Sequence, residues 1–358
     1  MIEARHHNSF GALRWLFALS VVYCHSFDLV GNYGHGDWIA KVSGYRLSHL
    51  GVVGFFILSG YLNSGSLQNA TGNAVGISFL TRRAFRIFPL LWLVVTVGVL
   101  ASFIASGLTK PVISGGMRFL MGNGLLYQIH YSLPGLFTHN INTGYCGSIW
   151  TLPYEILLYL VLVVTGMARR GDAEWKTKAI LAGLLCAMCA THSQDERPFC
   201  ASLQHFWLGH LGWAFLCGTL LARMPGLLLS RKVAIGMGVF LIGSVFLPGS
   251  NFPGWQFLQV MAYAVIVIKA GSVSWGPVAR WANAWDASYG IYLMSFPIQQ
   301  MLIAAGWTHA YSLFFMAAAI SAIAGLVSWK LLEQPMLHVG KRLGSLIQAS
   351  PENGGRNA

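Results

Sequence analysis

The chain alternates between apolar runs of about twenty residues, the length that crosses a bilayer's hydrocarbon core as a helix, and short connections rich in polar and basic residues. Ten such runs predict membrane helices at residues 10–27, 47–63, 85–106, 148–168, 178–192, 206–223, 232–248, 255–271, 287–305 and 311–332. An even number puts both termini on one side. The basic residues say which side: Arg5, the Arg82/Arg83/Arg86 cluster, Arg169/Arg170/Lys176/Lys178, Arg231/Lys232, Arg280 and Lys341/Arg342 fall together in one set of flanks and connections. The opposite set keeps only Lys41, Arg46, Lys110, Arg118 and Arg197. The positive-inside rule then gives an N-in, C-in topology. Phe119 to Gln128 is apolar but too short to span, and reads as an interfacial or re-entrant piece of an outer loop over 107–147. Were it to span, every later helix would invert and the charge bias would break.

Composition agrees with the pattern. Charged residues make up 9% of the chain and hydrophobic ones 55%, against about 25% charged in a typical soluble domain. The reading is an all-α polytopic membrane bundle. A net charge of +12 would otherwise suggest a nucleic-acid partner, but its distribution is a topology signal and no basic groove is indicated. Residues 1–343 form one transmembrane domain, and Gly344 to Ala358 is a polar tail expected to be disordered. The first span is expected to be retained, since it carries ionisable residues and no small-residue cleavage site comes after it.

Those residues are Arg14 and His25, in the segment FGALRWLFALSVVYCHSF. A cation or an imidazole in hydrocarbon costs several kcal/mol unless it is paired or faces a wet cavity, so both are candidates for function. Eleven residues at about 1.5 Å each separate them by roughly 16 Å, so one can sit near a membrane face and the other deep. Glu155, in WTLPYEILLY, is a buried carboxylate of the fourth span, while Arg82, Arg83 and Arg86 crowd the opening of the third in LTRRAFRIFPL.

Further polar segments occur in order: GVVGFFILSGYL at Gly51 to Leu62, ASYGIYL at Ala287 to Leu293, and SWKLLEQP at Ser328 to Pro335. Taken together, the arginine and histidine with ten residues between them in the first helix (Arg14, His25), FF-x-L-S-G at Phe55 to Gly60, R-x-x-R-I-x-P at Arg83 to Pro89, W-x-L-x-x-E at Trp150 to Glu155, S-Y-x-x-Y-L at Ser288 to Leu293 and E-x-P at Glu333 to Pro335 resemble the acyltransferase-3 family. Its members are bacterial inner-membrane proteins that O-acylate cell-surface glycans and other acceptors. The resemblance covers essentially the whole chain. Two positions depart from it: Gly11 stands where the family usually has an acidic residue, and Ser295 where it often has histidine. Neither is assigned a role.

The resemblance implies an acyl-CoA donor, most simply acetyl-CoA, a carbohydrate or glycolipid acceptor at the outer face, and no metal. Elementary chemistry fits. Acyl transfer from a thioester to a hydroxyl needs a base and a stabilised oxyanion. His25 suits the base, or a transient acyl acceptor, and Glu155 can hold its tautomer. Arg82, Arg83 and Arg86 suit the donor's phosphates through bidentate forks, and Arg14 joins the catalytic set or lines the donor's path. Other readings stay open: a packing role for His25, a purely topological arginine cluster, a transporter or flippase of a lipid-linked sugar, or a carrier relaying the acyl group across the membrane. Ser59 and Ser288 read as packing hydroxyls, and Glu333 as a tie for the last helix. Cys186 and Cys189 share a helix face without a second pair and give no metal signal, Cys24 diverges from His25 by about 100° on the helix, and Cys146 with Cys200 could form an outer disulfide.

Overall fold

A computed structural model describes residues 8–33, 36–43, 45–68, 73–167, 205–223, 226, 230–245 and 253–349. Among them no strand occurs, and the helices are α1 (Phe10–Asp28), α2 (Trp38–Ser43), α3 (Leu47–Gln68), α4 (Asn73–Ser106), α5 (Lys110–Gly124), α6 (Leu152–Met167), α7 (His205–Arg223), α8 (Arg231–Val245), α9 (Pro253–Ser272), α10 (Pro277–Ala284), α11 (Ser288–Ala304), α12 (Ala310–Ser328) and α13 (Gln334–Ala349). Nine of the ten predicted spans coincide with a described helix; the run 178–192 lies outside the described residues, as do the basic connection Arg169 to Lys178, Cys186, Cys189 and Cys200. By length and hydropathy five described helices suffice to cross a membrane, or six if Trp255–Ser272 and Pro277–Ala284 together make one span. Apolar side chains lie exposed along the same helices, among them Trp92, Val97, Leu100 and Ile104 on α4 and Phe315, Ile323 and Val327 on α12. Lipid is the solvent such faces require.

The chain divides into two compact units, one of Met1–Val52, Phe88–Pro153 and Val273–Glu333, the other of Val53–Ile87, Tyr154–Ser272 and Gln334–Ala358. In the first, α1 packs against α10, α11 and α12, and α11 against α12. Leu29, Phe296, Ile303 and Leu313 form a shared core there. Small residues set the approach: a Cβ on Gly290 would stand 2.8 Å from the Cα of Gly325. Gly325, four residues after the small Ser321 on α12, thus allows a close crossing of α11 and α12. Beyond α12 a π-helical turn, Trp329–Glu333, buries Glu333, whose Oε1 accepts from Ser328 Oγ at 2.9 Å.

The segment 107–147, expected to be a loop, is helical over α5, whose 15 residues reach about 22 Å and fall short of a span. Polar side chains pin the loop beyond α5. Asn123 brackets His130 through its backbone N–H and carbonyl at 3.0 and 2.9 Å, and Tyr145 donates to Val94 O at 3.0 Å. Gln300, fully buried on α11, donates to the carbonyls of Asn142 and Gly144 at 2.6 and 2.5 Å and accepts from Asn140 at 2.8 Å.

In the second unit, α9 packs against α7 and α8. Two boundaries differ from expectation. The third predicted span begins twelve residues early, at Asn73, so the arginines lie inside a 34-residue helix rather than at its opening. No breaker precedes Pro89, and its missing N–H removes one bond without ending the helix. The polar tail is also corrected: Gly344 to Ala349 is helical within α13, and only 350–358 falls outside the described residues. Apolar residues at Val339, Leu343 and Leu346 recur at helical spacing there, a pattern that low average hydropathy hid.

Candidate active site

In the first unit α1 carries both candidates. Arg14 Nη1 donates to Asp286 Oδ2 at 2.7 Å, and Ser288 Oγ donates to the other oxygen of the same carboxylate at 3.0 Å. Asp286 lies just before α11, 272 residues from its partner, where no local pattern announces it. The N-terminal end of α1 is fastened beside this pair by Ser9 Oγ donating to Val273 O at 2.6 Å and Trp15 Nε1 donating to Trp285 O at 2.9 Å. Gly11 explains itself here: a Cβ would collide with Asn283 Oδ1 and stand 2.7 Å from Ala282 O. Its backbone N–H donates to that same Asn283 oxygen at 2.9 Å. An acidic side chain at this position has no room.

His25, near the other end of α1, is half-buried and meets the Phe296 ring edge-on, with centroids 5.3 Å apart. Its Nδ1 is buried without a hydrogen-bond partner among the described residues. Phe296 is held in turn by the backbone at Gly147, where a Cβ would collide with its ring. The charge of Arg46 acts on His25, and Arg46 Nη2 donates to both oxygens of Asp28 at 2.7 and 2.8 Å, with its guanidinium 4.5 Å from the Tyr33 ring. Cys24 turns the other way, toward Asp37 at 3.4 Å. Ser295, where the family pattern often has histidine, is buried and bonds back to Tyr292 O at 3.4 Å. Thr151 and Tyr292 share a hydrogen bond of 2.9 Å.

The second unit gathers the remaining candidates. Tyr159, one turn beyond Glu155 on α6, donates its hydroxyl to the Glu155 carboxylate. Ser59 therefore donates to Tyr159, at 3.0 Å, and Asn63 Nδ2 donates to Ser59 at 3.1 Å. The result is one directed chain, Asn63 to Ser59 to Tyr159 to Glu155, which gives Ser59 a polar role beyond packing. Arg83 and Arg86, three residues apart and so on one helix face, both act on this carboxylate. The Arg83 guanidinium lies 5.4 Å from the Phe79 ring and 5.8 Å from the Tyr159 ring, and its Nε is buried without a partner among the described residues. Arg82 is turned away, its Cγ 3.6 Å from where a Cβ on Gly344 of α13 would sit.

The sequence-predicted residues thus fall into separate settings: Arg14 paired with Asp286, His25 against Phe296, Glu155 with Arg83 and Arg86, and Arg82 apart from them beside α13. Sequence reasoning missed Asp286, Asp28, Tyr159, Gln299 and Gln300. With only 11 acidic residues in the chain, asking which cation each one neutralises would have raised Asp28 and Asp286. Among the described residues no group of three or more His, Cys, Asp or Glu is arranged to hold a metal ion. Cys146 is a buried free thiol donating to Leu293 O at 3.5 Å.

A family model described as an acyltransferase domain matches residues 7–329. The chain belongs to the acyltransferase-3 family. Two relatives of this acyltransferase-3 protein match over nearly their full lengths. Nodulation protein 10 of Rhizobium leguminosarum bv. viciae is 26% identical over 362 residues, covering 93% of this chain and 94% of the relative. An O-acetyl transferase of Shigella phage Sf6 is 26% identical over 339 residues, covering 92% and 96%. No solved structure matches. The protein is a membrane O-acyltransferase.

Proposed function

We propose that this acyltransferase moves an acetyl group from cytoplasmic acetyl-CoA to a hydroxyl of a cell-surface or exported carbohydrate, working as a multi-pass protein of the bacterial inner membrane with both termini inside. The observation that carries the reading is His25, a half-buried imidazole on a membrane helix, wedged against Phe296. In the reaction, its Nε2 takes the acceptor hydroxyl's proton as the oxygen attacks the thioester carbonyl; the C–S bond breaks and the thiol of CoA leaves with a proton.

Arg83 and Arg86 are assigned to the donor's phosphates, with Glu155 and Tyr159 holding their guanidinium groups in place. The partners Glu155 makes in its own unit favour that role over orienting His25. Arg14 is assigned to the inner end of the donor path, held there by Asp286. Acetyl is supported by the name of the phage relative, and the donor's entry side by the charge distribution of the sequence.

The experiment is mass spectrometry of surface polysaccharide from cells carrying the wild-type chain, no chain, or His25→Ala. Loss of an acetyl ester from one sugar in the last two, with the variant present in the membrane at near-normal abundance, is the expected result. Wild-type ester levels with His25→Ala would remove the base assignment, and an unchanged glycan without the chain would remove the acceptor class.

A further inference from the structure

Three residues beyond Phe296 on α11, Gln299 is fully buried. Its Nε2 donates to Val22 O at 2.8 Å and to Ser26 Oγ at 2.7 Å. These contacts fix the amide's orientation, because its oxygen placed there would face the carbonyl of Val22. The carboxamide oxygen is therefore the end left over. It is buried and has no hydrogen-bond partner among the described residues.

Val22 and Ser26 flank His25 on α1, and Phe296 precedes Gln299 by less than a turn on α11. The two helices thus bring to one seam an acceptor without a donor, Gln299 Oε1, and a ring nitrogen without a partner, His25 Nδ1. Within its unit no carboxylate hydrogen-bonds the ring among the described residues; Asp28 is taken by Arg46, and Asp37 receives Cys24 and the backbone N–H of Leu47. For Nε2 to act as base, the neutral ring must carry its proton on Nδ1, and that proton needs an acceptor. A single buried water has the valence to join the two atoms.

Building on the reading of His25 as base, we infer that Gln299 is its positioning residue: Oε1 accepts the Nδ1 proton through one water and keeps Nε2 unprotonated toward the acceptor hydroxyl. The hydroxyl proton goes to Nε2, and the Nδ1 proton stays where it is throughout. Gln299 fills the place that an acid fills in a triad, with a dipole instead of a charge. A neutral acceptor also leaves no net charge to stabilise in hydrocarbon.

The test compares His25→Ala, Gln299→Leu and Gln299→Glu in full-length protein, in inverted membrane vesicles from glycan-producing cells, with radiolabelled acetyl-CoA and label counted in the glycan fraction. Gln299→Leu should lower the maximal rate per folded molecule by about ten- to a thousandfold, with KM for acetyl-CoA within about twofold of wild type. Gln299→Glu restores an acceptor, since the Ser26 hydroxyl can turn to donate to it. It should recover much of the rate and move the acidic limb of the pH–rate profile up by about one unit, because a carboxylate beside the ring favours the imidazolium. A purely structural glutamine would instead lower abundance and leave both the rate per folded molecule and the pH limb unmoved. Wild-type rates in Gln299→Leu, or an unmoved limb in Gln299→Glu, while His25→Ala is inactive, overturn the inference and leave the base intact. Activity in His25→Ala overturns both. If Gln299→Leu does not reach the membrane, the pH limb of Gln299→Glu decides.

Discussion

Removing the Asp286 carboxylate should destabilise the first unit by an amount that its geometry sets. The pair with Arg14 closes at 2.7 Å, with side-chain exposures of 28% and 17%, so it is neither a rim pair worth a few tenths of a kcal/mol nor a dry one. Two unit charges about 4 Å apart in an effective dielectric of 20 attract with about 4 kcal/mol before the cost of desolvating them. A hydrogen bond to a charged group nets about 1.5–3 kcal/mol. Asp286→Ala also strands the Ser288 hydroxyl, so about 2–4 kcal/mol is expected, whereas Asp286→Asn keeps the shape and that bond and should cost about 1–2 kcal/mol. The assay is equilibrium unfolding in mixed micelles of wild type, Asp286→Asn, Arg14→Met and the double variant. The cycle should give a coupling energy of about 1–2 kcal/mol. A coupling below about 0.3 kcal/mol would mean the pair is only incidental and that Arg14 owes its place on α1 to something else.

Arg83→Ala should weaken acetyl-CoA binding by about 1.5–3 kcal/mol and Arg83→Lys by less, whereas Arg82→Ala, on a side chain turned toward α13, should leave it unchanged, as read by isothermal titration with purified protein. Gln300→Leu should strip the carbonyls of Asn142 and Gly144 of their donor, at about 1–3 kcal/mol for each one left buried, and raise hydrogen exchange over 140–147 far more than over α1. Burial pushes the Cys146 thiol up to about 12, so at pH 8 it is almost wholly protonated and should resist maleimide until the protein is denatured; rapid labelling of the folded protein would contradict that burial.

The part of the fold that was legible in the sequence came from one strong signal. Twenty apolar residues have few alternatives to a helix, so nine of the described helices could be placed from hydropathy alone. The start of α4 was not legible, because arginines followed by Pro89 look like a helix opening, whereas a helix that outruns the bilayer can continue into water without penalty. The candidate site was legible only in part. His25, Arg83 and Glu155 announce themselves by being ionisable in an apolar run. Asp286 does not, because its meaning depends on Arg14, at the far end of the chain. Gln299 and Gln300 were passed over as two neutral residues inside a span; their roles come from the carbonyls and hydroxyl that the fold sets beside them.

Those two glutamines are neighbours on α11, about 100° apart around its axis, and they face different tasks: Gln299 grips α1, and Gln300 holds the loop at Asn142 and Gly144. A single residue inserted or deleted in α11 ahead of them would rotate the helix by that angle, putting one glutamine in the other's place and carrying the second away from both sets of partners. Composition and hydropathy would hardly change, and the segment would still insert as a span. The phase of α11 is therefore under tighter constraint than its chemistry, and length changes between Ser288 and Gln299 should be far less tolerated than conservative substitutions over the same stretch.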